Sequence, residues 1–229
     1  MQYETLSSLR KDELRTARKS KKEFKKELRF VRETSEVFLR TIEVLSNENV
    51  QGFTYSKDAT YRIAHRIFRI LRCALNSTLE GYYDVSMALL RIAYENHLLL
   101  NYLSKNEREA KLWFEGKIFK APFLRKNVSY ASDSLYREMC EFIHSSFKST
   151  FAFTVIENGR TKATLGEYNK EQFKNVLLLM LMTMTTTIIW LSLTFAEELM
   201  KNEEWHSVFR ETVPKTWKSL RARKTLCEL

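Results

Sequence analysis

Apolar residues recur along most of this chain at intervals of three and four, the spacing of helices that bury one face. From Glu4 to Ser46 the stripe consists of Phe24, Leu28, Val31, Phe38, Ile42 and Leu45, set among blocks of charge, and it predicts one long helix. Asn47 to Tyr55 contains the first glycine of the chain and marks a turn. Ser56 is a suitable N-cap with Asp58 in the first turn, so a second helix is predicted from there to about Glu80, with Ile63, Ile67, Ile70, Leu71 and Ala74 facing a core. Gly81 should end it. Asp84 can cap a third helix, whose Met87, Leu89, Leu90, Ile92, Ala93, Leu98, Leu99, Leu100 and Leu103 cover so many sides that a central place follows.

Trp113 and Phe114 anchor a fourth helical stretch, Asn106 to Lys120, which Ala121 and Pro122 should break. Ser132 or Asp133 can cap a fifth, Ser134 to His144, with Leu135, Met139, Phe142 and Ile143 apolar. The one strand-like stretch, Thr150 to Ile156, leads through Glu157, Asn158, Gly159 and Arg160 to Thr161–Leu165. Asn-Gly favours a two-residue turn, so this predicts a β-hairpin. Asn175 to Ala196 is uncharged and long enough to cross a bilayer. Thr183, Thr185, Thr186, Thr187, Ser192 and Thr194 interrupt it and Lys174, Glu197 and Glu198 flank it, which suits a helix enclosed by its own bundle and makes a membrane role the weaker expectation. After Pro214 a basic tail is predicted, holding Trp217, Lys218, Arg221, Arg223 and Lys224.

The expected fold is an all-α bundle of five to seven helices with a small β-hairpin insertion. Its parts are a long basic helix and turn (1–55), the bundle core (56–200) and a basic C-terminal tail (201–229). Five glycines and two prolines in 229 residues, with 44% apolar content, agree with long elements around one core. Cys73, Cys140 and Cys227 are odd in number and lack paired spacing, so neither a disulfide framework nor a zinc site is implied. The first thirty residues are too charged for a secretory leader, and a reducing cytoplasmic setting is expected.

Charge sharpens the picture. Lysine and arginine outnumber aspartate and glutamate by 38 to 28, a net charge of +10 that favours polyanionic partners. Between Arg10 and Arg29 lie ten basic and four acidic residues, among them Arg15, Arg18 and Lys22. Arg62, Arg66 and Arg69 recur at i, i+4 and i+7 and share one helix face, and Lys218 and Arg221 continue the basic character into the tail. Such strips neutralise phosphates without reading base edges. Arg91 and Glu95, four apart in an apolar helix, suit an ion pair, with Asn96 in the same polar cluster. Gly-rich phosphate loops, His-Glu-x-x-His pairs, nucleophile elbows and Cys-x-x-Cys pairs do not occur, so no metal and no cofactor is expected.

Of the four histidines, His144 is best placed for chemistry. It lies seven residues after Arg137, nearly two turns, so both side chains leave a helix on one side. Arg91 and His97, six apart, diverge by about 120° and pair less well. Arg137-Glu-Met-Cys-Glu-Phe-Ile-His144 resembles the Arg-x(4 to 6)-His motif of the HEPN superfamily of nucleotide-binding helical bundles. Met87 to Glu95, Tyr102-Leu103 and Ala110 to Gly116 are similar to segments of prokaryotic families placed near it, as is the order histidine helix, hairpin, long apolar helix. Glu138 stands where that motif has a small polar residue, and puts a negative charge beside the arginine.

Two functions follow. One is a basic helical module that binds nucleic acid, RNA favoured, or a protein, without catalysis. The other, implied by the resemblance, is a metal-independent endoribonuclease of toxin or antiviral-defence type. There Arg137 would stabilise phosphate and His144 assist 2′-hydroxyl attack in a homodimer, with an antitoxin-type protein as a possible further partner.

Overall fold

The computed structural model describes residues 5–47, 52–129, 136–137, 139–140, 154–157, 160–163 and 168–224. Its helices are α1 (Leu6–Glu23), α2 (Lys25–Asn47), α3 (Tyr55–Glu80), α4 (Tyr83–Ser104), α5 (Glu107–Phe114), α6 (Ala121–Asn127), α7 (Lys170–Thr194), α8 (Ala196–Met200) and α9 (Glu203–Lys224). The chain is an α-helical bundle. Two four-residue strands, β1 (Thr154–Glu157) and β2 (Arg160–Ala163), pair antiparallel with Glu157 opposite Arg160.

The bundle is organised around α7. Phe173, Val176, Leu177, Met180, Leu181, Met184, Ile188 and Leu191 are buried on it, and α2, α3, α4 and α9 pack against it. By length and composition this helix could cross a membrane, yet along it only Lys170, Glu171, Lys174, Asn175 and Leu193 are exposed. Most of its hydroxyls are accommodated by its own backbone, Thr185 being buried without a hydrogen-bond partner among the described residues. Thr183 donates to Leu179 O, Thr186 to Met182 O, Thr187 to Thr183 O and Thr194 to Trp190 O, so these polar groups enter an apolar setting without unmet hydrogen bonds.

Among the described residues there are nine helices where five to seven were expected, and five local expectations change. The long N-terminal helix is two helices: at Phe24 the backbone leaves helical geometry (φ −105°, ψ 31°), and its buried ring stacks on Phe173 at 4.6 Å. The break between α1 and α2 thus falls at the residue whose ring is anchored in the core. The apolar stripe belongs almost wholly to α2, whereas α1 buries Thr16 and Ser20 and is tied down by polar links. Arg10 bonds Glu13 and Glu80, Tyr82 donates to Glu13, and Lys170 pairs with Glu23.

The C-terminal tail is instead the helix α9, docked on α2 and α7 through buried Trp205, Val213, Thr216 and Leu220. Those residues recur at helical spacing, and exposed Pro214 sits on the outer side of α9, where the lost hydrogen bond faces solvent. Trp205 Nε1 donates to Thr41 Oγ1 at 2.8 Å, and Thr34 and Thr216 share a buried hydrogen bond. Pro122 opens α6 rather than breaking a helix, because its missing N–H costs nothing in a first turn. Thr54, not Ser56, caps α3, and Tyr82 rather than Asp84 precedes α4. Gly81 ends α3 as expected, in the left-handed conformation (φ 91°) that lets α4 fold back against it.

His97 of α4 is buried against α7, its Nδ1 3.0 Å from Thr187 Oγ1. The Thr187 hydrogen is committed to Thr183 O, so the imidazole donates from Nδ1. Burial pushes the His97 pKa down to about 4. An unfolded histidine titrates near ~6.5, so the unfolded chain binds the extra proton first as pH falls. Stability contributed by neutral His97 is therefore complete above pH ~6.5 and is lost down to about pH 4, by roughly 3 kcal/mol. Urea unfolding across that window should show His97→Gln with a shallower pH dependence than wild type; parallel curves would refute it.

Candidate nucleic-acid interface

From Ala59 to Leu79 the chain has no carboxylate, so the outer face of α3 is basic without internal compensation. Ile63, Ala64, Ile67, Leu71 and Ala74 are drawn into the core, which leaves Arg62, His65, Arg66, Arg69 and Arg72 exposed. Arg62 bonds Asp58 at 2.8 Å. Among the described residues, Arg66, Arg69 and Arg72 make no ion pair. Arg72 extends the row that the sequence pattern had identified through Arg69; the run without acids was the signal for it.

The N-terminal end of the row is built differently. Tyr55, seven residues before Arg62 and hence on the same face, packs against Phe114 of α5 with ring centroids 5.9 Å apart. Trp113 meets Phe114 edge-on at 5.0 Å, and the Arg62 guanidinium lies 5.8 Å from the Phe114 ring. Both Tyr55 (47%) and Phe114 (39%) keep large exposed areas.

Glu107 fixes this end. Its carboxylate accepts from Tyr55 N at 2.8 Å and Ser56 N at 2.9 Å, while Thr54 Oγ1 accepts from Lys57 N, so three free amides of the α3 first turn are met. Partial burial alone would raise the Glu107 pKa, but the hydrogen bonds from Ser56, Tyr55 and Thr54 hold it below the usual carboxylate range. A first-turn residue of α5 thereby caps α3 and sets α5 alongside it.

The other basic residues expected at the interface are dispersed. Arg15 pairs with Asp12, and Arg18 and Lys22 are exposed on α1, which packs on α3. Lys218 is exposed on α9, and Arg221 lies in its last turns; α9 docks on α2 and α7 rather than on α3.

Arg91 and Glu95 do pair, Nε to Oε1 at 3.0 Å, and Tyr136 joins them. Its hydroxyl accepts from Arg91 at 3.0 Å and donates to Glu95 at 2.9 Å, while the Arg125 guanidinium lies over its ring at 4.0 Å. Burial, then the bond to Glu95, pushes the Tyr136 phenol up. Asn96 stands apart from this cluster, its amide donating to Ile92 O. Tyr136 and Arg125 were not singled out in the sequence, since nothing in its spacing brings them to Arg91.

Arg137, next along, is exposed on the same helical turn, with Met139 buried beside it. His144 lies outside the described residues. Among the described residues no group of three His, Cys, Asp or Glu side chains could hold a metal ion. Comparison of the chain with protein-family models, curated proteins and solved structures finds no match.

Tyr136→Phe keeps the ring between the two guanidiniums and deletes the hydroxyl that bridges Arg91 and Glu95. Loss of these charge-assisted bonds should lower stability by about 1 to 3 kcal/mol in chemical unfolding. An unchanged midpoint would mean that the network contributes nothing.

Proposed function

We propose that the protein binds nucleic acid without catalysis, laying the phosphate backbone along the outer face of α3. The observation that carries this is the row Arg66, Arg69 and Arg72, exposed and without carboxylate partners. Many arginines elsewhere are compensated: Arg10, Arg15, Arg29, Arg32 and Arg40 each meet an acid. The row sets three uncompensated arginines along one helix, and guanidiniums left open are suited to bidentate bonds with phosphate oxygens. Arg62 to Arg72 spans about 15 Å of helix, roughly four phosphates at ~3.4 Å per nucleotide. Affinity of this kind is sequence-tolerant and salt-sensitive. RNA is the favoured form, following the HEPN resemblance, in a cytoplasmic protein.

A second function rests on Arg137, exposed on a turn that the Arg91–Glu95–Tyr136 network ties to α4. In that case Arg137 and His144 form a metal-independent ribonuclease site in a homodimer. His144→Ala and Arg137→Ala should each lower RNA cleavage by about 10²-fold to 10⁴-fold, and absence of cleavage by wild type leaves binding alone.

Replacing Arg66, Arg69 and Arg72 by Gln should reduce the slope of log affinity against log salt by about 2 to 3, at ~0.7 to ~0.9 per phosphate contact. Anisotropy titrations of RNA at several salt concentrations measure this. An unaltered slope would remove α3 from the interface.

A further inference from the structure

The geometry points to single-stranded nucleic acid as the ligand, its bases stacking on Tyr55 and Phe114 while its phosphates follow the arginine row. This inference rests on the function proposed for α3 and adds the ligand class and the residues that select it. Tyr55 lies in line with the row, so the face runs from an aromatic step at one end to free guanidiniums at the other. Tyr55 to Arg72 covers about 26 Å of helix, roughly seven stacked nucleotides.

Charge divides the two ends. At the aromatic end Asp58 is engaged with Arg62, and Glu107 with the Tyr55 and Ser56 amides. That end therefore has its first helical amides taken up and not open to a phosphate. It offers ring surface: two adjoining aromatic side chains, each more than a third exposed, with Trp113 supporting Phe114 from its edge. Glu107 holds the backbone beneath Tyr55, so the rings are positioned before a ligand arrives and little order has to be gained on binding. A base has a face to stack there only when it is free of a duplex, whose bases already cover one another. Helix α3 lined with phosphate contacts alone would take either form; the aromatic step is what makes the single strand the better ligand.

The test uses the full chain and three probes of one mixed sequence: a short single-stranded RNA, its duplex, and the same strand with its bases removed. Wild type should bind the single strand more tightly than the duplex, and about 5- to 100-fold more tightly than the base-free strand, the value of stacking one base on an aromatic ring. Tyr55→Leu with Phe114→Leu should abolish that preference and leave duplex affinity unchanged, whereas Phe114→Tyr should retain it. Equal affinity of wild type for all three probes, or a preference that survives the Leu substitutions, overturns this inference and leaves the arginine row as a polyanion site. The base-free probe decides the matter even if the Leu variant does not fold. No binding of any probe overturns both the inference and the function on which it rests.

Discussion

A helix that is apolar on nearly every side must be covered on nearly every side, and α7 imposes that condition on the whole chain. Helices α2, α3, α4 and α9 meet it by turning apolar residues toward α7; α2, α3 and α9 are left with largely polar outer faces, whereas α4 is covered further by α3, α5 and α6 and exposes only Val85 and Ile92. For α3 this inward obligation is what points the arginines outward. The same condition bears on the interior chemistry: Thr183, Thr186 and Thr187 on α7 bond to carbonyls of their own helix, and burial against α7 holds His97 below the usual imidazole range. The outward arginines of α3 and the buried His97 are thus two consequences of one packing constraint.

The fold was legible where a local signal coincided with the packing it serves. Gly81 marks the end of α3 because only a residue tolerant of positive φ permits the reversal into α4. Ile63, Ile67 and Leu71 identify the buried side of α3, and by subtraction the exposed arginines. The signals that failed are those that depend on partners distant in sequence. The helix break at Phe24 follows from its ring meeting Phe173, and no proline or glycine announces it. The stripe Trp205, Val213, Leu220 was present in the chain, but the charges around it and Pro214 gave the segment the look of a tail.

The candidate site divides in the same way. Its arginine row is a periodicity within one helix, so it can be read directly. The aromatic step is a meeting of α3 with α5, and the Tyr136 cluster joins α4 to residues about thirty to forty-five positions further on. Proximity of that kind has no local code. The pairing of Arg10, Arg15, Arg29 and Arg32 with nearby acids likewise had to be seen before the uncompensated stretch of α3 stood out against a basic composition.

Glu107 belongs to one helix and completes the hydrogen bonding of another, and this has a consequence for the motions of the molecule. If α5 frays, α3 loses the acceptor for its first two amides; if the start of α3 loosens, the Glu107 carboxylate loses the donors that hold its pKa below the usual range. Opening of either end thus costs the other hydrogen bonds. The short α5, too brief to persist alone in water, and the first turns of α3 therefore form a single cooperative unit whose amides exchange with solvent together. The backbone beneath the aromatic rings of these two helices is thereby held in common.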